Sequence, residues 1–177
     1  MNKFILLFLY TNTPLLMLAQ LRADSSRSSV IFKVKNFGIN VEGVFKGLEG
    51  TISFEPTHPE RTSFKASVHV NSINTGNDLR DSHLRKESYF DSEHYPRMFF
   101  ESTRIAATNK KDNWILTGKL IIKEHTREIS FPFVAEETAY GYIFKANFSI
   151  NRREFGVGGA SIISDNVDIT LNVVAIR

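Results

Sequence analysis

The chain has 177 residues, of which 42% are hydrophobic, and its formal net charge is +3. This composition is typical of one globular domain, because 15 Phe and five Tyr residues would not stay solvated in a disordered chain. The small net charge, and the lack of a basic run that alternates with aromatic residues, exclude a nucleic-acid partner. The absence of cysteine excludes disulfides, so side-chain packing must hold the fold together.

The first 23 residues have the pattern of a secretory signal peptide. A lysine precedes an apolar stretch over residues 4–18, and Ala19 or Ala23 supplies the small residue before a cleavage site. The apolar stretch is shorter than the ~20 residues that a membrane span requires. We therefore assign residues 1–23 to a signal peptide and 24–177 to the mature domain. This assignment predicts a periplasmic or secreted protein that is not an integral membrane protein.

The mature chain alternates apolar and polar residues with a period of two, which is typical of half-buried antiparallel strands. The predicted strands, in chain order, are residues 28–37, 41–54, 62–73, 97–107, 113–123, 127–136, 142–151 and 167–177. Within the second strand the apolar parity changes across Gly47, which predicts a bend. A hairpin turn is predicted near Glu124–Thr126, and Pro132 in the following arm indicates an edge or bulge position.

The predicted fold is all-β with a short helix, a single domain that closes into an eight-stranded antiparallel barrel and so leaves few exposed sheet edges. A barrel of this size holds a small apolar ligand if side chains do not fill it. The pattern leaves a lined cavity and a filled interior equally open. The inward-facing residues predicted to contact a ligand are Phe32, Val34, Phe45, Phe64, Phe100, Leu120, Phe131, Phe144 and Phe148.

The stretch over residues 77–102 concentrates charged side chains with two histidines, so a catalytic or metal site is one interpretation. His83 and His94 lack the spacing of an HExxH or paired-histidine motif, and no nucleophile elbow or phosphate-binding glycine loop occurs. The preferred interpretation is a helical connection over 78–90 that packs beside the mouth of the barrel. It predicts no catalytic residue, no metal and no redox cofactor.

Several residues of this connection have predicted partners. Asn77 or Asp78 is the expected helix N-cap, and Asp81 with Arg85 has the i,i+4 spacing of an ion pair. Leu79, Leu84 and Phe90 are the apolar residues expected to dock the segment on the barrel. The residues predicted to meet the polar head group of a ligand at the mouth are Arg80, His83 and Arg85, since a phosphate or quinone prefers such donors.

Two adjacent arginines stand just before Phe155. They are the other candidates for contact with a head group. The favoured interpretation is structural: Arg152 forms an ion pair with a carboxylate such as Asp91, and Arg153 faces solvent.

The resemblance to a known family rests on five segments in chain order: FKVKNFGINVEGVFKGLEGTISFEP, LRDSHLRKESYFDSEHYPRMFFEST, GKLIIKEHTREISFPF, INRREFGVGG and ISDNVDITLNVVA. Together they resemble the YceI-like family from about Ser28 to the end of the chain. The family combines H-L-R-x-x-x-[YF]-F-D-x-x-x-Y-P with R-x-[DE]-F-G-[IV]. Its members are exported bacterial proteins with a lipocalin-like eight-stranded barrel, and some bind polyisoprenoid lipids in the lumen. No catalytic residue is established for them.

The resemblance implies an exported, non-enzymatic protein that binds an isoprenoid lipid or an isoprenoid quinone. Two alternatives stay open. One is a secreted enzyme, similar to a hydrolase or isomerase, that uses the His83 region; converging titratable groups inside the cavity would favour it. The other is a ligand-free structural barrel, which an interior without continuous volume would favour. A homodimer is compatible with the sequence.

Overall fold

The computed structural model describes residues 20–177. Residues 1–19 of the predicted signal peptide therefore lie outside the described residues. The described part of the chain forms ten β-strands and one short α-helix. Their bounds are β1 (Leu21–Ala23), β2 (Ser29–Asn36), β3 (Ile39–Phe45), β4 (Glu49–Ser53), β5 (Ser63–His69), α1 (Asp78–Leu84), β6 (Arg97–Ala107), β7 (Asn113–Ile122), β8 (His125–Thr138), β9 (Gly141–Asn151) and β10 (Ile163–Ile176). Within residues 20–177, no helix has the length and apolar character that crossing a bilayer requires.

The strands form one antiparallel sheet in the order β1-β4-β5-β6-β7-β8-β9-β10-β2-β3, and an additional pairing of β1 with β10 closes it. β1 and β2 are two segments of one bent strand, and β3 and β4 are two segments of the next. The long strand β10 pairs with β2 along most of its length and with β1 at its end. Counting each bent strand once gives the predicted eight-stranded antiparallel barrel.

The bend between β3 and β4 is centred on Gly47, as predicted. Its φ is +69°, a left-handed conformation that glycine adopts without steric cost. The inward face therefore passes from Phe45 to Leu48 and Ile52, which explains the change of apolar parity in the sequence.

The bend between β1 and β2 is a turn organised by Asp24. Its carboxylate accepts hydrogen bonds from the hydroxyl of Ser26 at 2.6 Å and from Nε of Arg27 at 2.6 Å. These bonds, with the Ser26 hydroxyl contributing most, lower the pKa of Asp24 to about 2. The carboxylate is therefore ionised, and the turn is held, throughout the physiological range of pH.

β1 lies inside the range of the predicted signal peptide, residues 1–23. Leu21–Ala23 was assigned to the signal peptide, but it pairs with both β4 and β10 and closes the barrel. Leu21 is only 3% exposed. The sequence could not indicate this strand, because three residues are too few to show a period of two. Of the two predicted cleavage positions, the one after Ala19 leaves this strand intact.

Two apolar clusters occupy opposite ends of the barrel. At one end, which we call the Phe54 end, the ring of Phe54 lies 5.0–6.2 Å from the centroids of five other aromatic rings, those of Phe64, Trp114, Phe133, Tyr142 and Phe144. These rings meet mostly edge to face, the arrangement that aromatic side chains favour, and they close this end. The opposite, α1 end is packed around Val70, Ile73 and Phe155, which are almost fully buried.

The connection between β5 and β6 covers the α1 end. The predicted strand over residues 62–73 ends at His69, because Val70–Ser72 turns inward as a short 3-10 helix. Asn77 is the N-cap of α1, as predicted, and its side chain accepts a hydrogen bond from the Arg80 N–H at 2.9 Å. The helix ends at Leu84, which is earlier than the predicted limit of residue 90.

Two predicted contacts of this connection are wrong. Asp81 is buried and accepts a hydrogen bond from the Thr75 N–H at 2.9 Å, while Arg85 donates to the carbonyl of Ile73 at 3.2 Å, so they form no i,i+4 pair. The loop before α1 folds back over the helix and supplies both partners. Leu84 and Phe90 pack against the barrel as predicted, but Leu79 is exposed.

Candidate ligand-binding site

A cavity of about 250 Å³ lies inside the barrel, above the Phe54 cluster. All nine residues predicted from strand parity line it: Phe32, Val34, Phe45, Phe64, Phe100, Leu120, Phe131, Phe144 and Phe148. The interior is therefore a lined cavity and not a solid core, which decides between the two interpretations that the pattern left open. Contact of these nine residues with a ligand stays a prediction.

The cavity is apolar because the charged residues of its wall direct their charges elsewhere. Nζ of Lys65 lies 2.8 Å from the Glu101 carboxylate, and Nζ of Lys145 lies 2.8 Å from that of Glu136, both on the outer surface. An apolar cavity of this kind stays dry, because water inside it would lack hydrogen-bond partners. An apolar ligand consequently displaces little ordered water on entry.

Arg152 holds the loop that closes one side of the cavity. The residue is 5% exposed, and its guanidinium donates to the carbonyls of Val157, Ile163 and Ser164 at 2.7, 2.9 and 3.0 Å. Val157 and Ile163 also line the cavity. One buried cation therefore holds the loop in place. Its N–H donors replace the water molecules to which these carbonyls would otherwise be hydrogen-bonded.

The predicted pair of Arg152 with Asp91 is wrong. The carboxylate beside Arg152 is that of Asp165, at 3.1 Å, because β10 begins where the loop returns over the arginine. Arg153 is half-exposed, as predicted, and shares the same carboxylate at 2.5 Å. Asp91 instead accepts a hydrogen bond from Nδ1 of His94 at 2.9 Å.

The wall of the barrel is incomplete at the α1 end. β8 and β9 pair only between Phe133–Ala146 and Thr138–Gly141, so beyond Phe133 the two strands separate. Pro132 stands where this pairing stops, which confirms the predicted edge position, since proline has no N–H to donate. In the gap the rings of Phe131 and Phe148 stack with centroids 4.1 Å apart.

The free edge of β3 lies at the same end, joined to the connection by a single bridge between Val44 and Asn74. Among residues 20–177, these two interruptions of strand pairing adjoin the α1 end, whereas the Phe54 cluster fills the other. The cavity is thus blind at the Phe54 end. Its mouth is at the α1 end.

The three residues predicted to meet a head group do not line the cavity. Nε of Arg80 donates to the hydroxyl of Thr75 at 2.7 Å, and Arg85 donates to the main chain. His83 is exposed, with its ring edge-on to that of Tyr89 at 4.9 Å. All three belong to the connection that covers the cavity, and their contact with a head group stays a prediction.

Titratable groups with altered pKa values lie outside the cavity lining. The hydrogen bond that His94 donates to the Asp91 carboxylate raises the pKa of His94, and hydrogen bonding to Glu124 raises that of Tyr95, both outside the cavity. Burial raises the pKa of Tyr142, in the Phe54 cluster. Within residues 20–177, no group of three or more His, Cys, Asp or Glu side chains is placed to hold a metal ion. The described lining therefore presents no converging acid and base.

Part of the lining comes from outside the strands and was missed by strand parity. Leu84, Tyr89 and Phe90 of the connection, with Phe155 and Val157 of the loop after β9, complete the wall at the mouth. The apolar residues of the two family motifs were the available signal, because both motifs place aromatic side chains in segments that are otherwise polar.

Comparisons with known proteins agree with this architecture. The family model described as a YceI-like domain matches residues 21–175. A UPF0312 protein of Pseudomonas savastanoi pv. phaseolicola is 26% identical over 161 residues, which cover 87% of this chain and 83% of that protein. A UPF0312 protein of Azotobacter vinelandii is 25% identical over 162 residues, with 87% and 84% coverage.

Two solved structures have the same fold. The crystal structure of Burkholderia cenocepacia BcnA superimposes with a TM-score of 0.82 at 25% identity, over 88% of this chain and 99% of that one. A polyisoprenoid binding domain from Saccharophagus degradans, implicated in plant cell wall breakdown, has a TM-score of 0.73 at 16% identity, over 91% and 99%. The second likeness is one of fold alone. With a family model that spans the whole barrel, the chain belongs to the YceI-like family.

Proposed function

We propose that this protein is an exported, non-enzymatic binding protein that holds the chain of an isoprenoid lipid or isoprenoid quinone inside its barrel. The observation that carries the proposal is the blind apolar cavity of about 250 Å³, in whose wall the lysines pair with outer carboxylates and the Arg152 guanidinium is bonded to loop carbonyls. Family membership supports it, and so does the polyisoprenoid binding domain from Saccharophagus degradans, which has the same fold.

Binding is driven by desolvation of the apolar chain. Each CH₂ group taken out of water contributes about 0.8 kcal/mol, so even a partly enclosed prenyl chain binds usefully. The chain enters at the α1 end and stops at the Phe54 cluster, while a polar head group stays at the mouth. Arg80 and His83 of α1, with Arg85 directly after it, are the donors proposed to meet it there. Cavity depth and these donors together select the ligand.

The direct test is to purify the protein from its native host, extract it with organic solvent and analyse the extract by mass spectrometry. We expect one prenyl-chain lipid or quinone in substoichiometric to stoichiometric amount. An extract without any apolar molecule, together with no binding of added prenyl alcohols, would overturn the proposal.

Two alanines form a matched pair for a mutational test. Ala146 and Ala135 belong to the same buried cluster and are each 5% exposed, but Ala146 lines the cavity and Ala135 does not. Ala146→Trp should fill the cavity, displace ligand and leave the fold intact. Ala135→Trp should overpack the core and lower stability by about 1–3 kcal/mol.

Thermal melting and ligand content are measured for both variants. Equal destabilisation of the two variants, with unchanged ligand content, would show that the cavity is not where the ligand binds. Leu120→Trp, at another position on the lining, serves as a second filling variant if Ala146→Trp fails to fold.

A further inference from the structure

The turn between β2 and β3 contains an aromatic residue that its backbone disfavours. Asn36 pairs with Ile39, so the turn has two residues, Phe37 and Gly38, and both have positive φ, +49° and +79°. Two-residue hairpin turns of this kind favour Asn-Gly or Asp-Gly, because a bulky side chain is strained in the left-handed region. Phe37 is also 76% exposed, so packing does not compensate for the strain.

Strain that persists at an exposed position indicates a function for the side chain. Two more large apolar side chains are exposed beside it. Ile39 is 71% exposed and follows the turn, and Ile162 is 65% exposed and precedes Ile163, which pairs with Asn36. We call Phe37, Ile39 and Ile162 the hairpin-tip patch. They account for half of the six large hydrophobic residues that are exposed within residues 20–177.

The hairpin-tip patch adjoins the mouth of the cavity. Val34, near the end of β2, and Ile163, the first residue of β10, both line the cavity and flank the patch in sequence. α1 lies on the same side, because the chain after Asn74 runs antiparallel to β3, toward the hairpin tip. Its exposed Leu79 extends the apolar character of this end.

We propose that the hairpin-tip patch inserts into the surface of a lipid bilayer and places the mouth of the cavity against the membrane. This inference rests on the proposed function, because an apolar chain then passes between bilayer and cavity without crossing water. The patch consists of separate side chains that project from a turn and its flank. Such projecting apolar groups suit the fluid interface of a bilayer, which needs no complementary groove.

The charges beside the patch are compatible with an anionic lipid surface. Lys33 and Lys35 point outward from β2. Lys33 lies 3.6 Å from Glu42 and faces Asp168 across β10, so it is largely neutralised, whereas Lys35 is opposite Asn40. Insertion of the apolar side chains is therefore expected to contribute most of the free energy of membrane binding. Attraction of the lysines to anionic lipid adds a smaller contribution.

Co-sedimentation with vesicles tests the proposal. The probes are vesicles of phosphatidylcholine alone and of phosphatidylcholine with phosphatidylglycerol. We expect the protein to bind both, and the anionic vesicles more tightly. Phe37→Asn puts the residue that the turn favours in place of the ring, so the fold should be unharmed or stabilised. Vesicle binding should fall about tenfold or more, the loss that corresponds to one buried Phe side chain.

Tyr140 provides the matched control. It is 75% exposed but lies in the turn between β8 and β9, at the Phe54 end of the barrel, away from the mouth. Tyr140→Asn removes an exposed aromatic ring of similar size and should leave vesicle binding unchanged. Equal losses in the two variants, or no loss in Phe37→Asn, would overturn the proposal.

Two further measurements separate this inference from the proposed function. Prenyl alcohol added directly from organic solvent should load the protein and Phe37→Asn equally, while transfer from vesicles should be slower in the variant. Direct loading without any vesicle binding would overturn the docking inference and leave the proposed function standing.

Size-exclusion chromatography tests another occupant of the hairpin-tip patch. A dimer that Phe37→Asn dissociates would assign the patch to a second copy of the chain, and this result would also overturn the docking inference.

Discussion

At the scale of single residues, Arg152 links the sequence motif R-x-[DE]-F-G-[IV] to the shape of the cavity. Its guanidinium donates to several carbonyls of the loop that follows, and that loop supplies part of the lining. A lysine in the same place would offer one point charge where the loop requires a planar fork of donors. The motif therefore marks a buried cation that holds the loop beside the cavity.

Arg152→Met should lower the free energy of unfolding by about 3–5 kcal/mol, because it leaves buried carbonyls without donors. Arg153 is the matched control, since it follows Arg152 in the chain and contacts the same Asp165 carboxylate from the surface. Arg153→Met should change stability by no more than about 0.5 kcal/mol. Urea unfolding measures both. Similar losses in the two variants would mean that the Asp165 ion pair matters more than the buried hydrogen bonds.

The pair of the exposed His94 and the buried Asp91 predicts a pH dependence of stability. The hydrogen bond that His94 donates to the Asp91 carboxylate raises the pKa of His94 above its ordinary value of 6.5, so folding favours the protonated imidazole. The stabilisation is present in full below pH 6.5 and is lost as the pH rises through the raised pKa of the folded state. Urea unfolding of the protein and of His94→Asn should therefore differ most at low pH and converge at high pH. A difference that grows with pH would contradict the assignment.

The residues that the sequence predicted correctly are those whose direction a strand fixes. Alternate residues of a strand face the same side, and this rule placed all nine predicted residues on the cavity wall. The same rule says nothing about loops. Arg152 was given the wrong carboxylate, and Asp81 the wrong partner, because each side chain is satisfied by main-chain groups of a loop whose path no periodicity records.

At the scale of elements, the barrel is closed by strands that bend. One bent strand consists of the segments β1 and β2, and the next consists of β3 and β4. Because of the first bend, β10 pairs with both β2 and β1. The sequence predicted the bend at Gly47 because the parity of a long strand changes there. It could not predict β1, because three residues are too few to show a period.

The position of β1 in the barrel predicts where the signal peptide is cleaved. Cleavage after Ala19 leaves Leu21–Ala23 in the barrel, whereas cleavage after Ala23 removes it. With the proposed export, the mature chain should begin at Gln20, which intact-mass measurement of the processed protein checks. A chain that begins at Asp24 should be less stable than one that begins at Gln20 by at least about 2 kcal/mol, the contribution of one buried Leu side chain. Equal unfolding midpoints of the two chains would show that β1 is dispensable and would remove the reason for preferring Ala19.

At the scale of the whole molecule, the two ends of the barrel are closed in different ways. The rings around Phe54 fill one end, and the cavity begins above them. At the other end, β8 and β9 diverge, β3 has a free edge, and a cover of short helix and loop replaces strand pairing. A cavity that is closed at the Phe54 end can enclose an apolar chain only up to a fixed length, because the chain enters from the mouth.

Unbranched alcohols of increasing chain length should reveal this limit. Affinity should rise about fourfold for each added CH₂ group, since each contributes about 0.8 kcal/mol, and should level off once the chain reaches the Phe54 cluster. Further CH₂ groups then stay at the mouth and add little. Thermal stabilisation by each alcohol should follow the same course, because a ligand that binds only the folded state raises its melting temperature.

Phe54→Leu is the variant that tests whether Phe54 sets the limit. Leucine keeps the position apolar but lacks the ring that contacts five neighbours, so space opens at the Phe54 end. The chain length at which the affinity levels off should therefore increase in this variant. The free energy of unfolding should fall modestly. Tyr140→Leu is the control, because Tyr140 is an exposed ring in the turn between β8 and β9 and does not line the cavity. If affinity rose without limit in the unmodified protein, or if Tyr140→Leu shifted the levelling as much as Phe54→Leu, the chains would bind outside the barrel.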